Sequence, residues 1–320
     1  MYQPHYEQVV IRLNLKGIPN RDLVIVRGKR VYFSQRDRPM PMQPPQFAML
    51  LRKHLGNGRL LSAEQIGFDR ILKLLFDTKD GHRSLVIEMF RNGNVILCDE
   101  NDVIMMPLTH VKYENRTIKR GEIYCAPEAP MDPRSWSAEQ LLELLHDSNR
   151  DLVHTLAGRM SLGSVYAHAL CAEAGLDPTQ STEDMTSADA LHTAFQRLIA
   201  EIDGEGAVAI LSEAFEASDN PLERDLQMEA NCIEVGPVQL TGDAVTIPFE
   251  SLSEAVDAWK GGHDAAALQR REAEKLAAIT APGQTDSDAK KLGRREVQQE
   301  TAVGKLATKG AKQQDLGKAI

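Results

Sequence analysis

The hydrophobic pattern of this chain changes period at one place, the proline-rich stretch APEAPMDP from Ala126 to Pro133. Ahead of it, apolar residues alternate with polar ones or run in short bursts between turn residues, which is the period of strands. Behind it they recur every three to four positions, the period of helices. Two such blocks in one chain predict an α+β fold with strands and helices segregated. VVIRLNL, DLVIVRG and RVYFSQ are the first strands, divided by turns at Gly17-Ile18-Pro19-Asn20 and at Gly28. After a stiff connector from Pro39 to Pro45, Phe47, Leu50, Leu51 and Leu55 share one face of a helix, which Gly56-Asn57-Gly58 ends at a C-cap. RLLSAEQ, FDRILKLLFD, RSLVIEMF, NVILCD, DVIMMPL and TIKRGEIY then resume the strand pattern. Asp80-Gly81 marks a turn among them, and Asn92-Gly93 carries a type I′ hairpin signal.

From Ser137 to about Ser218 the chain reads as helices broken by turns. Ser135 or Ser137 caps the first, with Glu139 near the reciprocal capping position. A short β excursion, CIEVGPVQL and AVTIPF, precedes SEAVDAWK, whose cap is Ser251 or Ser253. Beyond His263, Ala, Lys, Glu, Gln and Arg dominate, without three regular heptads, as at the root of a helical arm. The expected domains are therefore a β-rich 1–130, a helical 131–230, a β/helix connector 231–262 and the start of an arm at 263–320.

The 320 residues have room for two or three cores, and no apolar run is long enough to span a membrane. MYQPHYEQVV lacks the basic and apolar regions of a secretory signal. Cys98, Cys125, Cys171 and Cys232 form no CxxC pair and the histidines are scattered, so a disulfide framework or metal site is not expected, and a reducing, cytoplasmic setting is. The net charge of −9 argues against a polyanionic partner, but its distribution does not. Residues 1–60 hold 11 Lys/Arg against 3 Asp/Glu, whereas residues 126–265 hold 6 against 26. The basic block is able to dock on a polyanion by counterion release, and the acidic block is repelled from one. A solvated basic surface with no partner accounts for the same charge.

Signatures of common catalysts are missing: no GxSxG, no HExxH, no nucleotide-binding glycine loop between strand and helix. The most informative segment is Pro44 to Phe76. Arg52 and Lys53 sit on the polar side of its helix, and Arg59, Gln65, Asp69 and Arg70 follow. An Asp-Arg pair inside an apolar strand needs a reason, because adjacent strand residues face opposite ways. One reading pairs each with a charge on a neighbouring strand. The other uses the carboxylate and the planar guanidinium to contact bases or phosphates of RNA.

PPQFAMLLRKHL…GRLLSAEQIGFDRILKLLF resembles the signature of the NFACT family, which includes bacterial RqcH, eukaryotic NEMF and the FbpA-type proteins named for fibronectin binding. LVIEMFRNGNVILCDENDVIM, KRGEIYCAP, LAGRMSLGSVYAHALCAEAGLDP and FESLSEAVDAWKG continue the likeness in order. The resemblance implies a formamidopyrimidine-DNA-glycosylase-like sandwich, then a helical hairpin domain and the start of a coiled-coil arm. It implies a factor that binds tRNA, alanyl-tRNA in the bacterial and archaeal type, and the large ribosomal subunit holding a stalled nascent chain. Such a factor supports untemplated C-terminal alanine tailing. The ribosome performs peptide transfer, so neither an active site nor a cofactor is expected, and the chain is expected to be a monomer. Asp69 and Arg70 match the pair that engages the tRNA anticodon region, and Glu88 falls near a further tRNA contact. Arg52 and Lys53 match a basic element whose role follows only from charge. The family pattern also begins ahead of Met1 and continues past Ile320, so a piece truncated at both ends is expected.

Two other readings compete. A DNA glycosylase follows from fold analogy alone and needs an amine nucleophile, typically an N-terminal proline, which Met1-Tyr2 does not offer. A fibronectin-binding, adhesive protein would need an export signal.

Overall fold

A computed structural model describes residues 1–280 except Leu15, Met42, 91–92, 128–131, Glu205, Ala217 and 238–244. The chain divides into two compact units, neither continuous in sequence. The first comprises Met1–Gln65, Arg70–Pro127 and the described residues from His263 onward; the second comprises the described residues of Ile66–Asp69 and Glu128–Gly262.

In the first unit, β1 (Tyr2–His5), β2 (Gln8–Leu13), β3 (Arg21–Val26) and β4 (Arg30–Ser34) form one antiparallel meander. Helix α1 (Gln46–Leu55) leads to a second: β5 (Arg59–Gln65), β6 (Ile71–Thr78), β7 (Gly81–Glu88), β8 (Val95–Cys98) and β9 (Ile104–Pro107). Side chains alternate across each strand, so every second residue reaches one shared core. Val9, Ile11, Leu23 and Ile25 come to it from the first sheet, and Leu74, Phe76, Leu85, Ile87, Val95 and Leu97 from the second. Phe47, Leu51 and Leu55 of α1 fill the same core, while Leu50, expected on that face, is only half-buried.

The end of α1 differs from the expected glycine cap. Gly56 is extended, with φ −60° and ψ 131°, and the left-handed position falls on Asn57 at φ 60°. Glycine stands at position 56 for space, since a Cβ there would lie 2.3 Å from the Arg52 carbonyl oxygen. TIKRGEIY is not a full strand either. Only β10 (Val111–Lys112) and β11 (Thr117–Ile118) pair, because Gly121 at φ +87° turns the chain before Ile123 bridges to Val103. Asn92 of the expected hairpin turn lies outside the described residues.

In the second unit, α2 (Ala138–His146), α3 (Leu152–Arg159), α4 (Gly163–Glu173) and α5 (Asp189–Ile202) surround a core that includes Trp136, Leu145, Leu156, Leu170 and Phe195. Ser137 caps α2 in a capping box closed by Gln140, not by Glu139. The helical reading of the next stretch does not hold. Ala207–Leu211 is a strand, β12, followed by α6 (Pro221–Asn231), β13 (Cys232–Gly236), β14 (Val245–Phe249) and α7 (Leu252–Val256). β12 is the centre of the sheet β13-β12-β14, with Ala207, Ala209 and Leu211 buried at alternate positions. Its two partners come later in the chain, so nothing local marked it as a strand.

Ser251 caps α7, and a wider i→i+5 turn over Asp257–Gly261 joins it to α8 (Gly262–Thr280). At the start of α8, Asp264 accepts from Arg30 Nη2 at 2.6 Å and from the Tyr32 hydroxyl at 2.8 Å, which ties this helix to β4. The expected continuation of the arm, 281–320, lies outside the described residues. No helix among the described residues is long and apolar enough to cross a membrane.

Candidate functional site

Asp69 and Arg70 do not sit inside a strand. They close the turn Ile66–Arg70 between β5 and β6, which Gly67 makes at φ 61°. Phe68 packs on the helical core of the second unit, with the Arg134 guanidinium 5.4 Å above its ring. Asp69 is half-buried and Arg70 exposed. The Arg70 carbonyl accepts from Met89 N–H at 2.8 Å, so its backbone is pinned to the end of β7. The strand-interior puzzle posed by the sequence therefore disappears: a turn lets neighbouring residues point in directions that a pleat forbids.

Glu88, the last residue of β7, is placed differently from a surface contact. It is fully buried, and its Oε1 accepts from Arg116 Nη1 at 2.6 Å and from the Tyr124 hydroxyl at 3.1 Å. Arg116 also donates to the Cys125 carbonyl and lies 4.6 Å over the Tyr113 ring. Burial opposes the charge on Arg116, but the hydrogen bond and charge of Glu88 outweigh it and raise its pKa. Burial, reinforced by Glu88, also raises Tyr124, which stays a donor. A buried pair of this kind holds the fold locally and is strongly sensitive to loss of one partner. Arg116 and Tyr124 were not singled out in the sequence, although Tyr124 lies within KRGEIYCAP.

Arg52 and Lys53 end α1 and part company there. Arg52 Nε donates to the Met1 carbonyl at 2.7 Å, and its guanidinium covers one side of the Tyr2 contact at 5.1 Å. Arg12 also lies over Tyr2, at 5.6 Å, and is held by Asp22 through bonds of 2.8 and 2.9 Å. That hydrogen bond and the charge of Asp22 raise the Arg12 pKa further. Arg52 thus belongs to a cation–aromatic cluster at the N-terminus. Lys53 is exposed and lines a separate cavity between α1 and β9.

A family model described as NFACT N-terminal and middle domains matches residues 1–313. The chain belongs to the NFACT family. Curated relatives of this NFACT chain include the archaeal Rqc2 homolog aRqcH of Methanocaldococcus jannaschii, 33% identical over 53% of this chain and 26% of that protein. Ribosome quality control complex subunit 2 of Saccharomyces cerevisiae is 40% identical over 37% of this chain and 11% of its own length. The Rqc2 homolog RqcH of Bacillus subtilis is 31% identical over 45% of this chain and 28% of its own. The matches thus span between 11% and 28% of the length of these relatives. Two solved structures share the fold: the N-terminal part of the fibronectin/fibrinogen-binding protein from Streptococcus suis, with TM-score 0.56 and 22% identity over 81% of this chain and 90% of that one, and the fibrinogen binding protein from Staphylococcus aureus, with TM-score 0.56 and 20% identity over 80% and 88%.

Proposed function

We propose that this NFACT chain is the tRNA-facing part of a cytoplasmic ribosome quality control factor. In this reading it docks with the large ribosomal subunit holding a stalled nascent chain and helps present alanyl-tRNA for untemplated tailing. The ribosome supplies the peptide-transfer chemistry, so the chain works by binding alone.

The observation that carries the reading is the β5–β6 turn. It places a half-buried carboxylate and an exposed guanidinium at consecutive positions, and the Arg70 carbonyl accepts from the Met89 N–H. A planar donor next to an acceptor suits recognition of unstacked bases and their phosphates, the mode by which single-stranded RNA loops are read. The excess of basic residues in 1–60 supports a polyanionic partner, and the relatives are named for ribosome quality control. Glu88 enters this proposal as a support for the neighbouring strand end, since it is fully buried and its Oε1 accepts from Arg116 and Tyr124.

Affinity capture of the chain from a ribosome-containing lysate, followed by sequencing of the bound RNA, tests the reading. Asp69→Ala and Arg70→Ala should each reduce tRNA recovery at least tenfold, with circular dichroism used to check that the variants are folded. Equal tRNA recovery by both variants and the parent chain would sink it.

A further inference from the structure

The cavity beside Lys53 brings together residues that lie far apart in the sequence. It measures ≈ 450 Å³, within the range of about 300–1,000 Å³ usual for small-molecule sites. Leu50 of α1 and Met105 and Met106 of β9 supply apolar and thioether surface, while Lys53, His54 and Arg120 supply the polar part. No carboxylate lines it. Lys53 and Arg120 are both exposed and make no ion pair among the described residues. Two unpaired cations beside an apolar floor call for a ligand that is anionic at one end and flat and apolar at the other.

The walls are fixed by the fold. Gly121 N–H donates to the Ile104 carbonyl at 2.8 Å, and Ile104 N–H donates to the Glu122 carbonyl at 2.8 Å, so Arg120 is held opposite α1 by backbone bonds to β9. Gly121, at φ +87°, allows the turn that brings Arg120 there. His54 has its Nδ1 buried without a hydrogen-bond partner among the described residues. Burial, together with the nearby positive charge of Lys53 and Arg83, lowers the His54 pKa, which favours a neutral ring. A neutral imidazole is able to donate or accept toward a base edge, whereas an imidazolium only donates. Methionine sulfur makes favourable contacts with aromatic rings and adapts to different ones.

We propose that this cavity binds one ribonucleotide, its phosphate between Lys53 and Arg120 and its base against Leu50, Met105 and Met106. The nucleotide is either a free monophosphate or a single unstacked residue of a bound RNA; the second source rests on the RNA-facing reading above.

Calorimetric titration of the full chain with each ribonucleoside 5′-monophosphate, and with inorganic phosphate, tests the site. Saturable binding of at least one monophosphate is expected, weakened at least tenfold in Lys53→Glu and in Arg120→Glu. Both side chains are exposed, so folding of the variants is checked by circular dichroism, and Leu50→Trp, which fills the floor, gives a second route to the same loss. A short single-stranded oligoribonucleotide that displaces the monophosphate identifies RNA as the source, and failure to displace it identifies the free nucleotide. Either result supports the site. Inorganic phosphate binding as tightly as the monophosphates, an absence of binding, or variants that bind like the parent would overturn it. Because the probe is a free nucleotide, a failed tRNA test at Asp69 and Arg70 leaves this measurement standing, and the reverse holds as well.

Discussion

Glu88 and Arg116 are 0% and 7% exposed at their side chains, which makes their ion pair a matter of burial more than of charge. Removing one partner leaves the other as an uncompensated buried ion, at a cost of about 3–5 kcal/mol, whereas replacing both by apolar groups of similar volume is often neutral. Glu88→Ala should therefore lower the stability of the first unit by that amount in urea denaturation. The double variant Glu88→Leu with Arg116→Met should recover most of the loss. If Glu88→Ala instead leaves the urea midpoint unchanged and abolishes tRNA capture, its role is direct contact, and the internal role assigned to it here is wrong. Asp69, half-buried in a turn, carries the opposite expectation: its removal should register in tRNA capture.

The junction of α1 with β5 separates two reasons for glycine. At Gly56 the backbone is ordinary and the space is not, because the Arg52 carbonyl occupies the room a side chain would need. At Asn57 it is the backbone that is unusual, being left-handed. Gly56→Ala should accordingly destabilise by about 1–3 kcal/mol through crowding. Asn57→Gly should be neutral or stabilising by a few tenths of a kcal/mol, since glycine adopts positive φ without steric cost. Thermal melts of the two variants decide the matter; a destabilising Asn57→Gly paired with a harmless Gly56→Ala would show that the cap had been assigned to the wrong residue. The element matters for function because Lys53 and His54 ride on its last turn.

Over the whole molecule, the basic excess in 1–60 and the acidic excess in 126–265 predict a salt-dependent interaction carried by residues ahead of Ala126 and not by the acidic block. The apparent tRNA affinity should fall linearly with the logarithm of salt concentration. Arg70→Ala should make that slope shallower by about one unit, the signature of one lost phosphate contact. Arg197→Ala, an exposed arginine of α5, should leave it unchanged; a shallower slope for Arg197→Ala with none for Arg70→Ala would move the RNA surface to the helical unit. The sequence by itself determined the order of elements from Val9 to Pro107, the helix at Gln46–Leu55, the helical character of 138–202 and the family, because these depend on local periodicity, turn residues and contiguous motifs. It placed Asp69 and Arg70 next to each other but on the wrong kind of element, since the apolar strand residues on both sides outweighed the turn residues Gly67 and Asp69 in the pattern. Tertiary structure alone decided that β12 is a strand, that Glu88 turns inward to Arg116, that α8 is tied to β4 through Asp264, and that Arg120 faces the cavity of Lys53. Each of these joins residues far apart in the chain, and the energy of such contacts comes from burial and desolvation that no local window of sequence contains.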